Sequence, residues 1–214
     1  MTRFPIFLLF AFFCISFTTQ LSAQSVFLRE GQGAFSLGGS ATVQGGTWNG
    51  AGSAVFSLKG KTDLGLSVGS VNSGIGVSAL NGSVVVPSIS TLVIKDRDGF
   101  NLSLDAAYAV YQLNGRASAF EGELNGFSLG TTISQAMPLD SNNNLYPFAG
   151  YTYNFPASTG TFSLGALFGL GLDSQNIYSL GPGLFFVDAS TAFGFSASIT
   201  FTGKRKPITR ETTR

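Results

Sequence analysis

Most charged residues of this chain lie at the breaks between apolar segments. Lys59, Lys61 and Asp63 cluster at one break, and residues 95–98 form the next. Between the breaks run segments of roughly ten residues in which large apolar side chains alternate with small or polar ones. Because successive strand side chains point to opposite faces, each segment would have one apolar face and one face of small, polar side chains. The pattern predicts β-strands.

Ten segments show this alternation, which predicts an all-β fold of about ten strands, with eight as the alternative. The predicted strands are 33–44, 52–59, 63–72, 84–94, 100–112, 126–137, 145–154, 161–171, 177–187 and 191–201. Within 84–94, three consecutive valines precede Pro87, which lacks a backbone donor, so a bulge or a strand start is expected there.

The connections between the predicted strands alternate in length. Short ones rich in Gly, Asp and Asn suit tight turns and cover 60–62, 95–99, 139–144 and 173–176. The others tend to be longer and cover 45–51, 73–83, 113–125 and 155–160, although 189–190 is short. Short turns at one end and longer loops at the other are typical of outer-membrane barrels.

The face of small residues distinguishes a soluble barrel from a membrane barrel. In a soluble barrel this face would meet water and carry charge, yet only 11% of the residues are charged, against about 25% in ordinary domains. The face instead carries Ser, Gly, Ala, Thr and Asn. The sequence therefore predicts a closed antiparallel up-and-down transmembrane β-barrel, with the apolar face outward and the small face inward.

The alternation assigns individual residues to the inner or the outer side of the predicted barrel. Asn101, Ser103 and Asp105 are expected in the polar interior, and the lipid-facing residues are expected to include Leu102, Leu104, Phe195 and Ile199. A buried Asp105 needs a polar or basic partner, for which Arg29, Lys59 and Arg116 are candidates. Aromatic girdles at the membrane interfaces are expected to use Tyr108, Tyr111, Tyr146, Tyr151, Tyr153 and Tyr178.

The first 23 residues are typical of a secretory signal peptide. Arg3 precedes an uncharged apolar run over 6–17, and Leu21-Ser22-Ala23 ends in a small residue that suits cleavage. Cleavage would remove Cys14, the single cysteine. The predicted organisation is a signal peptide over 1–23, a barrel over 24–201 and a basic, disordered tail over 202–214.

Over residues 24–201 the chain resembles the small bacterial outer-membrane β-barrel proteins, the porin-like or OmpA/OmpX-like group. The resemblance rests on the signal peptide, the alternation and the turn pattern. It implies location in the cell outer membrane, outer-membrane lipid as a partner and assembly by the barrel-assembly machinery. The last strand, with Ile199 and Phe201, is similar to the signal that this machinery recognises, although residues 202–214 follow the aromatic residue here.

The sequence contains no histidine, and enzymes of the outer-membrane barrel group resemble one another in using a catalytic histidine. Without histidine or a mature cysteine the usual pairs of base and nucleophile are missing, so the chain is predicted not to be an enzyme. Glu121 and Glu123 are interpreted as solvated residues of a polar loop and not as a catalytic pair. Asp96 and Asp98 are interpreted as part of a turn, because the full calcium-binding pattern is absent. No cofactor or metal is predicted.

The predicted role is structural, or that of a narrow channel or of a scaffold whose loops bind a ligand. A barrel of about eight strands is already filled by side chains, so a wide pore is not expected. Basic residues do not concentrate on the folded surface, which argues against a nucleic-acid partner, and no ligand is specified. The alternative is a secreted β-sandwich or adhesin-like protein that binds through Trp48 and loop 113–125.

Overall fold

The computed structural model describes residues 24–44, 47–73, 80–95, 99–115, 122–172, 174–187 and 190–203. The predicted signal peptide, residues 1–23, lies outside the described residues, as does the predicted tail beyond Gly203. A short 3₁₀-helix covers Ser25–Phe27. Among the described residues, no helix is both long enough and apolar enough to span a membrane.

The chain forms one antiparallel sheet that closes on itself. Each long strand pairs with its neighbour in sequence, the short β7 pairs beside β8, β6 also pairs with β8, and β1 pairs with β11. The strands are β1 Ala34–Gln44, β2 Thr47–Leu58, β3 Thr62–Ser73, β4 Leu80–Lys95, β5 Phe100–Gly115, β6 Gly122–Gln135, β7 Met137–Pro138, β8 Asn144–Phe155, β9 Thr159–Leu170, β10 Asn176–Val187 and β11 Ser190–Thr202.

Ten long strands thus form an up-and-down barrel, which confirms the predicted fold. The alternative of a β-sandwich is wrong, because the strands form a single closed sheet rather than two packed sheets. We call the end where β1 begins and β11 ends the mouth, and the opposite end the far end.

The outer surface of the barrel is apolar because the pairing register aligns large side chains on one side of the sheet. Phe35 on β1 lies opposite Phe56 on β2 and Phe201 on β11, and residues directly opposite each other share a face. All three rings are exposed. They form part of an aromatic row around the mouth.

The interior is lined by small polar side chains, with an apolar layer toward the far end. The buried polar residues include Ser36, Thr42, Ser57, Ser67, Ser90, Ser103, Ser128, Thr152, Ser163, Ser179 and Thr200. The apolar layer includes Val84, Val86, Tyr111, Phe185, Val187 and Ala192. The barrel therefore has a polar interior and an apolar exterior, the reverse of a soluble protein.

Several strands extend beyond their predicted ends. β2 begins at Thr47, β4 begins at Leu80, β5 ends at Gly115 and β6 begins at Gly122. The far-end connections are reduced to 45–46, 74–79, 116–121, 156–158 and 188–189. The predicted difference in loop length between the two ends is therefore wrong, because stretches rich in Gly, Ser and Asn complete the pairing ladders of their neighbours.

The irregularity in β4 lies near the mouth rather than at Pro87. The register against β5 shifts between Leu92 and Ile94, and β4 already begins at Leu80, so the bulge or strand start expected at 84–87 is wrong. Pro87 lies within the strand opposite Leu66 of β3, and its missing N–H falls where the ladder with β5 passes from Val85 to Ser88 without a change of register.

The six tyrosines divide between the two sides of the wall. Tyr108, Tyr151 and Tyr178 are exposed on the outer surface, where Tyr153 is half-buried opposite the exposed Leu129, whereas Tyr111 and Tyr146 are buried in the interior. The expectation that all six belong to outer girdles is therefore wrong for these two. Both lie at inward positions of their strands. The position in the strand, and not the residue type, therefore decides on which side of the sheet each ring lies.

A polar turn connects β7 to β8 at the mouth. The backbone N–H of Asn142 donates to Asp140 at 2.7 Å, and the Asn143 side-chain amide donates to the same carboxylate at 2.6 Å. These bonds, that of Asn142 first, hold the pKa of the exposed Asp140 carboxyl below its ordinary value. The Leu172 N–H donates to the Asn142 carbonyl, which ties this turn to the next one.

The outward position of Leu104 generates a prediction about membrane insertion. Leu104→Arg should lower the free energy of unfolding in phospholipid vesicles by about 2–4 kcal/mol, because it places a charge in the hydrocarbon region. Leu139→Arg is the matched control, since both leucines are 55% exposed but Leu139 follows β7 in a turn at the mouth. Reversible urea unfolding measures both. Equal losses would contradict the assignment of the outer surface to lipid.

Candidate functional site

The mouth of the barrel is occupied by the segment that precedes β1. Residues 24–33, which we call the plug, contain the 3₁₀-helix Ser25–Phe27 and a turn into β1. Gln24, Ser25, Phe27 and Leu28 are all buried. A segment without strand pairing therefore lies inside the end of the barrel.

Gln24 is held by hydroxyl groups of β11. Its side-chain amide nitrogen donates to Ser198 Oγ at 2.9 Å, and its carbonyl oxygen accepts from Thr200 Oγ1 at 2.7 Å. Thr200 Oγ1 in turn accepts from Ser36 Oγ of β1 at 2.7 Å. Both ends of the amide are satisfied, as a buried polar group requires.

Ser25 is bound to an interior carboxylate. Its backbone N–H donates to Asp63 Oδ2 at 2.9 Å, and its hydroxyl donates to Asp63 Oδ1. Asp63 is buried near the start of β3. The carboxylate therefore accepts two bonds from one plug residue, and hydrogen bonds to a charged group are stronger than neutral ones.

Lys95 binds the plug from β4. Its ammonium donates to the carbonyl of Ser25 at 2.9 Å, to that of Leu28, and to that of Gly60 at 3.3 Å. The first two carbonyls belong to the plug, and the third to the turn between β2 and β3. The lysine thus connects the plug to the barrel wall with the three donors that an ammonium offers.

Apolar contacts fix the rest of the plug. The ring of Phe27 meets that of Tyr146 edge to face, with centroids 4.9 Å apart. Leu28 joins them in a cluster with Ala34 and Ile177. A Cβ at Gly169 would lie 2.8 Å from the Phe27 ring, so glycine at this position of β9 makes room for the aromatic side chain.

Two glycines shape the entry of the plug into β1. Gly31 adopts a left-handed conformation with φ 83°, and its N–H donates to the Lys59 carbonyl at 2.8 Å. Gly60, with φ 59°, lies so close to the Arg29 carbonyl that a Cβ there would overlap it. Glycine is suited to both positions because it lacks the side chain that makes positive φ costly.

Next to the plug, the interior contains a cavity of about 40 Å³. Its lining includes Gln24, Gly38, Gly181, Gly194 and Ser198. A volume of this size holds only a few water molecules.

The structure places Asn101, Ser103 and Asp105 inside the barrel, on β5. Ser103 Oγ and Thr132 Oγ1 donate to Asp105 Oδ2 at 3.3 and 3.2 Å. The Asn101 side-chain amide donates to the carbonyl of Gly99 in the turn before β5. Asp105 is therefore held by hydroxyl groups.

Two of the three cations considered as partners of Asp105 lie away from it. Arg29 and Lys59 are exposed at the mouth, and Arg116 lies outside the described residues. The hydrogen bonds that Asp105 accepts come from hydroxyl groups of β5 itself and of the neighbouring β6.

The four residues expected to face lipid lie on the outer surface. Leu104 and Phe195 are exposed, whereas Leu102 and Ile199 are half-buried among outward neighbours. Leu102 lies opposite the exposed Ile133, and Ile199 lies opposite the exposed Leu37. Phe201, expected to act with Ile199 in the terminal-strand signal, also points outward.

The plug and its two charged partners were not anticipated from sequence. Asp63 and Lys95 stand at breaks in the apolar pattern, where charge suggests solvent exposure. Phe27 and Leu28 are the sequence feature that could have indicated the plug. Two large apolar residues in a stretch too short for a strand are expected to be buried.

The described residues contain no group of three or more His, Cys, Asp or Glu side chains placed to hold a metal ion. The arrangement at the mouth instead consists of hydrogen bonds and packing that fasten a segment inside the barrel. An inside-out closed barrel with an occupied interior defines the outer-membrane type of transmembrane β-barrel.

No protein-family model matches the chain, and no curated protein sequence matches it significantly. Among solved structures, the β-domain of the Bordetella autotransporter BrkA is similar, with 13% identity over 79% of this chain and 98% of that one and a TM-score of 0.47. The translocator domain of autotransporter NalP from Neisseria meningitidis has 9% identity over 86% and 92%, with a TM-score of 0.45.

The N-terminal β-barrel domain of OprF from Pseudomonas aeruginosa has 9% identity over 82% of this chain and all of that one, with a TM-score of 0.35. These likenesses are weak, so the assignment of the fold rests on the strand pairing and on the distribution of polar and apolar side chains.

The packing of Phe27 generates a prediction about the plug. Phe27→Ala should speed hydrogen exchange of the Ser25 and Leu28 amides by roughly tenfold or more, because the lost ring contacts lower the cost of local opening. NMR of the protein in detergent micelles measures these rates. Phe35→Ala, which removes an outward ring from β1, should leave both rates unchanged. Unchanged rates in Phe27→Ala would show that the ring does not hold the plug.

Proposed function

We propose that the chain is a non-enzymatic barrel of the cell outer membrane with a closed interior and a structural role. The observation that carries this proposal is the plug, whose residues enter the mouth and bind Asp63, Lys95 and β11. A segment held by hydrogen bonds at several points of the wall obstructs passage at this end.

A second obstruction lies toward the far end. Val84, Val86 and Tyr111 are fully buried inside the barrel, and Phe185, Val187 and Ala192 form a further cluster. Ten strands leave little more room than side chains can fill, whereas aqueous channels appear at about 16–18 strands. The interior is thus filled at two levels, by the plug at the mouth and by the apolar layer toward the far end. These two levels favour a closed barrel over a narrow channel.

The side-chain inventory supports a role without catalysis. The chain contains no histidine, and its single cysteine, Cys14, lies in the predicted signal peptide. The interior carboxylates are engaged in structural bonds, Asp63 with the plug and Asp105 with Ser103 and Thr132. Neither is paired with a nucleophile and base in the arrangement that acyl transfer uses.

The short connections at the far end argue against a role based on loop binding. Strands continue to within a few residues of one another there, for example across 45–46 and 188–189. Outer-membrane barrels commonly have longer loops at their outer end, where a ligand could be bound. A scaffold surrounded by outer-membrane lipid, inserted by the barrel-assembly machinery, fits these dimensions better.

Conductance in planar lipid bilayers tests the closed interior. The protein itself should give no steady openings, because both levels are filled. Phe27→Ala and Tyr111→Ala should each stay silent, since the other level remains. The double variant should show openings, because it removes one filling side chain from each level.

Tyr108→Ala is the matched control, since Tyr108 lies on the same strand as Tyr111 but points outward. Heat-modifiable gel migration checks that each variant is folded. Steady openings from the unsubstituted protein would contradict the closed barrel. Silence of a folded double variant would show that these two side chains are not what closes it.

A further inference from the structure

Gln24, the first residue after the predicted cleavage site, is buried inside the mouth. Its side chain bonds to Ser198 and Thr200 near the end of β11. Arg29, later in the plug, is exposed. The plug therefore leads from a buried Gln24 outward to the mouth. Cleavage after Ala23 would place the new amino terminus inside the barrel, whereas chain termini usually lie at the surface.

The backbone of Gln24 brings its nitrogen next to an interior carboxylate. With φ −72° and ψ −46°, the backbone nitrogens of Gln24 and Ser25 are about 3 Å apart. The Ser25 nitrogen donates to Asp63 Oδ2 at 2.9 Å. The Gln24 nitrogen is therefore no more than about 6 Å from the same oxygen, and opposite charges at such a separation stabilise each other.

A positive charge at this nitrogen would suit Asp63. The carboxylate is only 1% exposed, and the two bonds that it accepts from Ser25 come from a neutral N–H and a neutral hydroxyl. The nearby ammonium of Lys95 directs its three bonds to backbone carbonyls. Burial of a carboxylate is costly unless the charge is paired as well as hydrogen-bonded. A cation beside Asp63 would therefore stabilise the docked plug.

We propose that cleavage between Ala23 and Gln24 creates the ion pair that fastens the plug, between the new α-ammonium of Gln24 and the carboxylate of Asp63. Hydrolysis breaks the C–N bond of this peptide group. The hydroxyl of water goes to the Ala23 carbonyl carbon, and its hydrogen goes to the Gln24 nitrogen. The released carboxyl then loses a proton and the amine takes one up, because both groups are ionised near neutral pH.

The ion pair makes the order of the plug depend on processing of the chain. In the uncleaved chain the Gln24 nitrogen is an uncharged amide with one N–H, so its attraction to Asp63 is weaker. After cleavage the same nitrogen carries a full charge and three donors. The ion pair concerns the same plug as the proposed function, but it is measured by the order of the plug and not by conductance. Failure of one is therefore distinguishable from failure of the other.

Hydrogen exchange of the Ser25 amide tests the ion pair in detergent micelles. Two refolded proteins are compared by NMR. One begins at Gln24, and the other keeps residues 21–23 in front of it, which moves the α-ammonium by up to about 10 Å. The Ser25 amide should exchange roughly tenfold or more faster in the extended protein, because local opening becomes easier. Equal rates in the two proteins would overturn the proposal.

Asp63→Asn identifies the partner of the ammonium. In this variant the extension should have little further effect on exchange, because the attracting carboxylate is absent. Asp105→Asn is the matched control, since it removes an interior carboxylate that is held by Ser103 and Thr132, and it should keep the tenfold difference. A full tenfold difference in folded Asp63→Asn would show that the extension acts by steric disturbance alone, and would overturn the ion pair.

Reactivity of the amino terminus gives a readout that needs no substitution. Acylating reagents attack accessible, uncharged amines, so the α-amine of the protein that begins at Gln24 should react at least roughly tenfold more slowly than that of the extended protein. Lys59 and Lys61 are exposed and serve as internal references with equal rates in both. Equal α-amine rates in the two folded proteins would contradict a buried, paired amino terminus.

Mass spectrometry of the exported protein tests the cleavage itself. Its mass should correspond to a chain that begins at Gln24 with a free amine. A different first residue would overturn the proposal, and so would a Gln24 amine that has cyclised onto its side-chain amide with loss of ammonia, because neither carries the required charge at this nitrogen.

Discussion

The pairing of β1 with β11 is the constraint on which the rest of this structure depends. It joins Ala34 to Thr202 and continues to Val43 opposite Phe193, so that the sheet has no open edge between its first and last long strands. In hydrocarbon every unpaired backbone N–H and C=O costs several kcal/mol, and closure removes that cost. Once the sheet is closed, each side chain of an alternating strand faces either the lipid or the interior. The narrow interior then requires small side chains wherever opposite walls approach, which explains the serines and glycines that line it.

Sequence reasoning predicted the centres of the strands and the side of the wall on which most side chains lie. In 100–112, Leu104 is exposed and Ser103 is buried, as alternation with a period of two requires of neighbouring positions in a strand. It failed at the strand ends. Leu80 pairs with Gly115, and Leu113 with Gly122, so a ladder extends where neighbouring backbones meet, whatever their local turn preference. Tyr111 and Tyr146 show the same priority of position over residue type.

The plug could not be predicted from local pattern, because its partners are distant in sequence. Gln24 bonds to residues 174 and 176 positions away, and Ser25 bonds to Asp63, 38 positions away. Charge at a break in the apolar pattern usually indicates solvent exposure. Asp63 departs from this because plug groups replace water around it, and Lys95, although exposed, donates to plug carbonyls.

The contacts of Gln24 also determine an order of events in assembly. Ser198 and Thr200 belong to the last strand of the chain, whereas Gln24 precedes the first. The hydroxyl groups that hold the plug are therefore brought together only after the final strand has joined the first. Contacts over such separations form late, since the intervening chain must first be ordered. An ordered plug therefore indicates that the first and last strands have paired.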